Sequence, residues 1–89
     1  MADKIFQLSP GVRWVVEPRG VQIIDEYSRR SISLDHPRSA IWELLMRGHP
    51  EEEAGDMLAH IVELSEKYAA SEMQSAIDEW INEGWIESR

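Results

Sequence analysis

Residues Val12–Glu17, "VRWVVE", alternate between two faces and are rich in β-branched and aromatic side chains, which is the pattern of a strand with one buried side. Val12, Trp14 and Val16 share one face and Arg13, Val15 and Glu17 the other. "PRG" (Pro18–Gly20) is a turn signal. "VQIID" (Val21–Asp25) predicts a second strand with Val21 and Ile23 inward. "EYSRR" then forms a turn without glycine, and "SISL" (Ser31–Leu34) alternates again as a third strand. The spacing predicts an antiparallel meander, and a sheet so small needs a helical cover.

Three helices supply it. In "DHPRSAIWELLMRG", Asp35 or His36 can cap, Pro37 fits the first turn and Gly48 the end. Ile41, Leu44 and Leu45 make its apolar stripe. "HPEEEAGDMLAHIVELSEKY" opens with Pro50 and three glutamates, which suit the positive end of a helix dipole. Its stripe runs through Ala54, Met57, Leu58, Ile61, Val62 and Tyr68. The third helix is predicted to start at a Ser71–Gln74 capping box and to bury Met73, Ala76, Ile77, Trp80 and Ile81, with Gly84 as its stop. Trp85 and Ile86 then fold back. Strands followed by helices, with no repeat and no long linker, give one α+β domain over residues 1–89, with 1–8 expected as a loosely ordered arm. Trp14 and Trp42 are expected in the core; Trp80 and Trp85 are the candidates for a partly open groove wall, with core packing the stronger reading for either one alone.

Composition narrows the function. Eighty-nine residues leave little room for a deep active site. The chain has no cysteine, so it has no disulfide and no thiolate nucleophile or ligand. "MADKIFQLSP" has an acid and no apolar run, unlike a secretory signal. No stretch approaches a membrane span, so a cytoplasmic address is expected. Net charge is -8, and it is uneven: residues 1–48 carry seven Lys/Arg against six Asp/Glu, residues 49–89 two against eleven. The acidic half repels phosphate backbones, or simply solvates a helical face. His36 and His49 each precede a proline at a helix start, and His60 has no second histidine at i+4. No metal-ligand spacing, phosphate-cradling glycine loop or nucleophile turn stands out. No enzyme, cofactor or metal site is therefore expected.

Two binding classes remain. A winged helix could read DNA, but residues Ser71–Glu83 hold four acids and no Lys or Arg. The other class uses the third strand's outer edge. Arg29 and Arg30 either blunt that edge or flank a place where an extended peptide adds as a further strand. A self-associating structural domain would use the same edge with a second copy.

"LSPGVRWVVE", "GVQIIDEYSRRSISLDHPRSAIWELLMRG" and "INEGWI", in this order, resemble the PqqD-like family, the RiPP recognition elements, from about Leu8 to Ile86. Asp35-His36-Pro37 stands where the family often has an Asn-containing cap, and "EYSRR" where it often has a glycine turn. The resemblance implies a winged-helix-like fold and a non-catalytic protein that binds the leader of a ribosomally made precursor peptide. A radical SAM enzyme or a leader peptidase would then act on the tethered core. Read as a complete domain, the chain is expected to be a free-standing chaperone, monomer or homodimer. On this view the leader's backbone pairs along Arg29, Arg30, Ser31, Ile32, Ser33 and Leu34. Its apolar side chains enter a slot of Ile32, Met73, Ile77 and Trp80, and Arg29 and Arg30 attract its acids.

Overall fold

The computed structural model describes residues 4–62 and 65–89. The order is β1 (Phe6–Leu8), β2 (Val12–Glu17), β3 (Gly20–Asp25), β4 (Arg30–Asp35), α1 (Arg38–Met46), α2 (Glu51–Ile61), α3 (Glu66–Glu83) and β5 (Ile86–Ser88). The predicted meander is present as β2-β3-β4, all antiparallel. The predicted α+β architecture, a three-stranded antiparallel sheet with three helices, is thus present. Two short strands were not expected: β1 pairs with β5, Phe6 opposite Ser88 and Leu8 opposite Ile86. This pairing orders Phe6–Leu8, which the sequence suggested as part of a loose arm, and Phe6 is buried. Neighbouring bonds from Ser9 N–H to the Trp85 carbonyl and from Arg89 N–H to the Ile5 carbonyl extend the clasp.

The core lies between one face of the sheet and the helices. Val12, Val21 and Ile23 meet Ile41, Trp42, Leu45, Leu58, Met73, Ile77 and Trp80. Trp42 and Trp80 pack edge to face, their ring centroids 5.1 Å apart at 81°, a geometry that suits the ring quadrupoles. Trp42 Nε1 is buried without an acceptor among the described residues, so packing is what holds that ring there. Trp80 and Trp85, for which the sequence leaves groove wall and core both open, are each only 1% exposed and belong to the core, while Trp14, expected in the core, is only partly buried. Trp85 is drawn in because Gly84 takes a left-handed turn (φ 83°) at the end of α3 and Trp85 N–H bonds the Trp80 carbonyl, the usual route by which a helix end folds its next residue back.

The helix boundaries differ from the prediction. α2 stops at Ile61, and α3 begins at Glu66, capped six residues earlier than expected: Ser65, not Ser71, is the N-cap, and its side chain accepts from Tyr68 N–H. Tyr68 therefore belongs to α3 and is exposed, as is Ile61. Residues 66–71 contain no helix breaker, so a cap at Ser65 lets the helix run straight through Ser71. Pro37 and Pro50, rather than the residues before them, occupy the N-cap positions of α1 and α2. No described helix is long and apolar enough to cross a membrane.

Candidate functional site: the outer edge of the third meander strand

Among the described residues, β4 pairs with β3 on one side only. Which of its backbone groups face outward follows from the ladder. Glu26 N–H bonds the Gly11 carbonyl, so Gly11 and Glu26 are a hydrogen-bonded pair. Alternation along an antiparallel ladder then turns Ile24, Gln22 and Gly20 toward β2, and Asp25, Ile23 and Val21 toward β4. Their partners on β4 are Arg30, Ile32 and Leu34. A second observation agrees: a Cβ on Gly20 would lie 1.9 Å from the Leu34 carbonyl oxygen, so that carbonyl points at β3. The backbone groups of Ser31, Ser33 and Asp35 are left facing outward.

The side chains alternate in step. Ser31 and Ser33 are exposed on the outer face of the sheet, while Ile32 and Leu34 turn inward and are only half-buried. Those two are the apolar surface available beside the edge.

The hairpin carrying β4 is tightly specified. Asp25 Oδ1 accepts from Tyr27 N–H at 2.9 Å and from Ser28 N–H at 3.3 Å, an Asx turn. Arg29 closes the loop in the left-handed region (φ 61°), its N–H bonded to the Asp25 carbonyl. The hydrogen bonds from Ser28, and then Tyr27 and the charge of Arg30, hold the Asp25 carboxyl below its ordinary value of 3.8.

Two arginines bracket the site. Arg30 Nη2 donates to the Glu83 carbonyl at 2.8 Å, and its guanidinium lies 4.6 Å from the centre of the Trp85 ring. One side chain thus ties β4 to the last turn of α3, using an orphan helix carbonyl and a cation–π contact. Arg38, at the start of α1, pairs with Glu79 at 2.6 Å and Glu72 at 3.3 Å. α1 packs beneath both β4 and α3. The rim is therefore Arg30 at one end and the Arg38–Glu72–Glu79 cluster at the other.

The sequence-predicted residues divide accordingly. Arg29, Arg30, Ser31, Ile32, Ser33 and Leu34 are contiguous at the free edge. Ile77 and Trp80 are fully buried beneath it. Met73 is also buried, and it floors a different depression of about 920 Å³ between α2 and α3. That depression is lined by Lys4, Lys67 and four acids, among them Glu51 and Asp56, which suits water better than an apolar guest. Arg30 is already engaged by the Glu83 carbonyl and the Trp85 ring, so of the two arginines only Arg29 projects without a side-chain hydrogen bond or ring contact among the described residues. Arg38 and its glutamates escaped the sequence reading, because their meeting depends on how α1 crosses α3. No group of three or more potential metal-ligating side chains occurs among the described residues.

No family model matches the chain, and no curated protein matches it. Two solved structures share its fold. One is described as lasso peptide synthetase B1 complexed with the leader peptide: TM-score 0.84, 18% identity, 92% of this chain and 96% of the other covered. The second is TbiB1 in complex with the TbiA(beta) leader peptide: TM-score 0.84, 20% identity, 91% and 94% covered. The arrangement of strands and helices described above is therefore one that two leader-bound proteins also adopt over nearly their full length.

Proposed function

We propose that this protein binds the leader region of a ribosomally synthesised precursor peptide along the outer edge of β4 and presents the attached core to a modifying enzyme. The observation that carries the reading is the unpaired row of backbone groups at Ser31, Ser33 and Asp35, flanked by the half-buried Ile32 and Leu34. The likeness to two proteins solved with leader peptides supports it. An incoming strand bonds to those three residues, and each such bond contributes about 1 kcal/mol net. Tight binding then needs apolar burial as well, at roughly 25 cal/mol per Å². Guest side chains that turn inward pack on Ile32 and Leu34, above Ile77 and Trp80 rather than against Met73. Arg29 attracts an acidic guest residue weakly, as exposed pairs do.

The protein performs no chemistry on the peptide. It raises the concentration of the core at the enzyme by tethering, and the enzyme is of the radical SAM or leader-peptidase kind. The last helix carries Asp78, Glu79 and Glu83 toward solvent and a half-buried Glu72 beside them, which opposes phosphate binding.

Ser31→Pro and Ser33→Pro test the reading. Both amides face away from β3, so neither proline removes a bond from the sheet. Each variant should keep its fold by circular dichroism and bind a synthetic leader peptide, chosen as one that the wild-type protein binds, at least about tenfold more weakly by calorimetry. Folded variants with wild-type affinity would overturn strand addition at β4.

A further inference from the structure

The sheet has a second free edge. β2 pairs only with β3 among the described residues. By the alternation that fixes β4, the backbone groups of Arg13, Val15 and Glu17 face β3 and those of Trp14 and Val16 face outward. Val12 N–H, the next outward group, is already bonded to the Ser9 carbonyl. This edge is only lightly guarded: Val12–Glu17 contains no proline, its two charges, Arg13 and Glu17, are of opposite sign, and Val15 and Val16 are 50% and 54% exposed.

We propose that two copies of the chain join β2 to β2, antiparallel and centred on Val15. In that register Trp14 of one copy and Val16 of the other exchange both backbone bonds, and the two valines at position 15 meet on the two-fold axis. On the same face Arg13 lies opposite Glu17 of the second copy, and Glu17 opposite its Arg13. The strand is thus complementary to itself, as a two-fold interface requires. Neighbouring registers are worse. Centring on Val16 sets Arg13 against Arg19 of the second copy, and centring on Trp14 sets it against Val15. A shift by one residue would place outer-face side chains opposite inner-face ones. Arg13 already holds Glu26 at 2.8 Å, both side chains well exposed, so the guanidinium fork can bridge Glu26 and the second copy's Glu17. On the inner face, the exposure of Val16 shows that the helical layer stops short of this strand. Trp14 and Val16 of the two copies can therefore cover each other. The product is a continuous sheet of twice three strands, with a free β4 edge at each end. This inference is independent of the peptide-binding reading, since it uses the opposite edge.

Sedimentation velocity on the full chain, from about 10 µM to about 1 mM, should show a monomer–dimer equilibrium. Glu17→Arg and Arg13→Glu each turn two attractive cross-strand pairs into repulsive ones and should each weaken the dimer roughly tenfold. The double variant R13E/E17R restores opposite charges across the axis and should return the dissociation constant to within about threefold of wild type. Val16→Pro, which removes an outward amide, should leave a monomer with an unchanged thermal transition. A chain that stays monomeric throughout the range overturns the proposal. So does a dimer indifferent to the charge reversals, which would mean pairing elsewhere, or a double variant no better than the singles. If Val16→Pro fails to fold, the three charge variants still decide the question.

Discussion

Gly20 sits where β4 comes closest to β3, and no side chain fits there: an added Cβ would lie 1.9 Å from the Leu34 carbonyl oxygen, on a backbone at φ 156°. Gly20→Ala should therefore cost at least about 2 kcal/mol of stability, read as a lower urea midpoint by tryptophan fluorescence, and a wild-type midpoint would contradict this packing of β4. Asp25 makes a prediction of the opposite kind, local and reversible. Its carboxylate is favoured in the folded hairpin because it accepts from Ser28 and Tyr27. The stabilisation is present above the ordinary carboxyl value of 3.8 and is lost as pH falls through the lower folded value. The Tyr27 and Ser28 amide signals should accordingly titrate with a midpoint below 3.8. A midpoint at or above it would mean that the Asx turn does not hold in solution. Gly20 was legible as a turn residue from "PRG", but its steric role was not, because the clashing atom lies on a strand fourteen positions away.

At the scale of elements, the long alternating and i, i+3, i+4 patterns were readable, since each reports a face in contact with one core. The meander, the first helix and the apolar face of the last helix all follow from them. The boundary between α2 and α3 did not, because two serines six positions apart both offered a cap. The structure uses Ser65. Ser65→Ala should cost about 1 kcal/mol in chemical denaturation, and Ser71→Ala, now mid-helix and exposed, should stay within about 0.5 kcal/mol of wild type. The reverse ranking would restore the shorter helix. β1 and β5 were not legible either. Three residues each are too few to show a period, and their pairing joins the two ends of the chain. Trp85 was legible as part of a tail that folds back, but its depth was not: the left-handed Gly84 turns it fully inward.

At the scale of the molecule, a thin sheet covered on one face leaves two strand edges, and the chain treats them differently. β4 is bracketed by Arg30, which clamps it to the end of α3, and by Arg38, which holds α1 to the same helix. Arg30→Ala should loosen that bracket, lowering the unfolding temperature by a few degrees and weakening leader binding together; a change in neither would make the clamp incidental. The free edge itself was visible in the sequence, as an alternating strand followed directly by a helix signal. The depth of the slot was not, because helix periodicity cannot say whether Met73, Ile77 and Trp80 are open or covered. Peptide binding at β4 is the central claim, and amide hydrogen exchange tests it residue by residue. In the free protein Ile32 and Leu34 should be protected by β3 while Ser31, Ser33 and Asp35 exchange fast. With the leader peptide bound, those three should slow by at least about tenfold, and the amides of Trp14 and Val16 should not change. Protection that appears at β2 instead, or fast exchange at Ser31 and Ser33 in the saturated complex, would contradict the account.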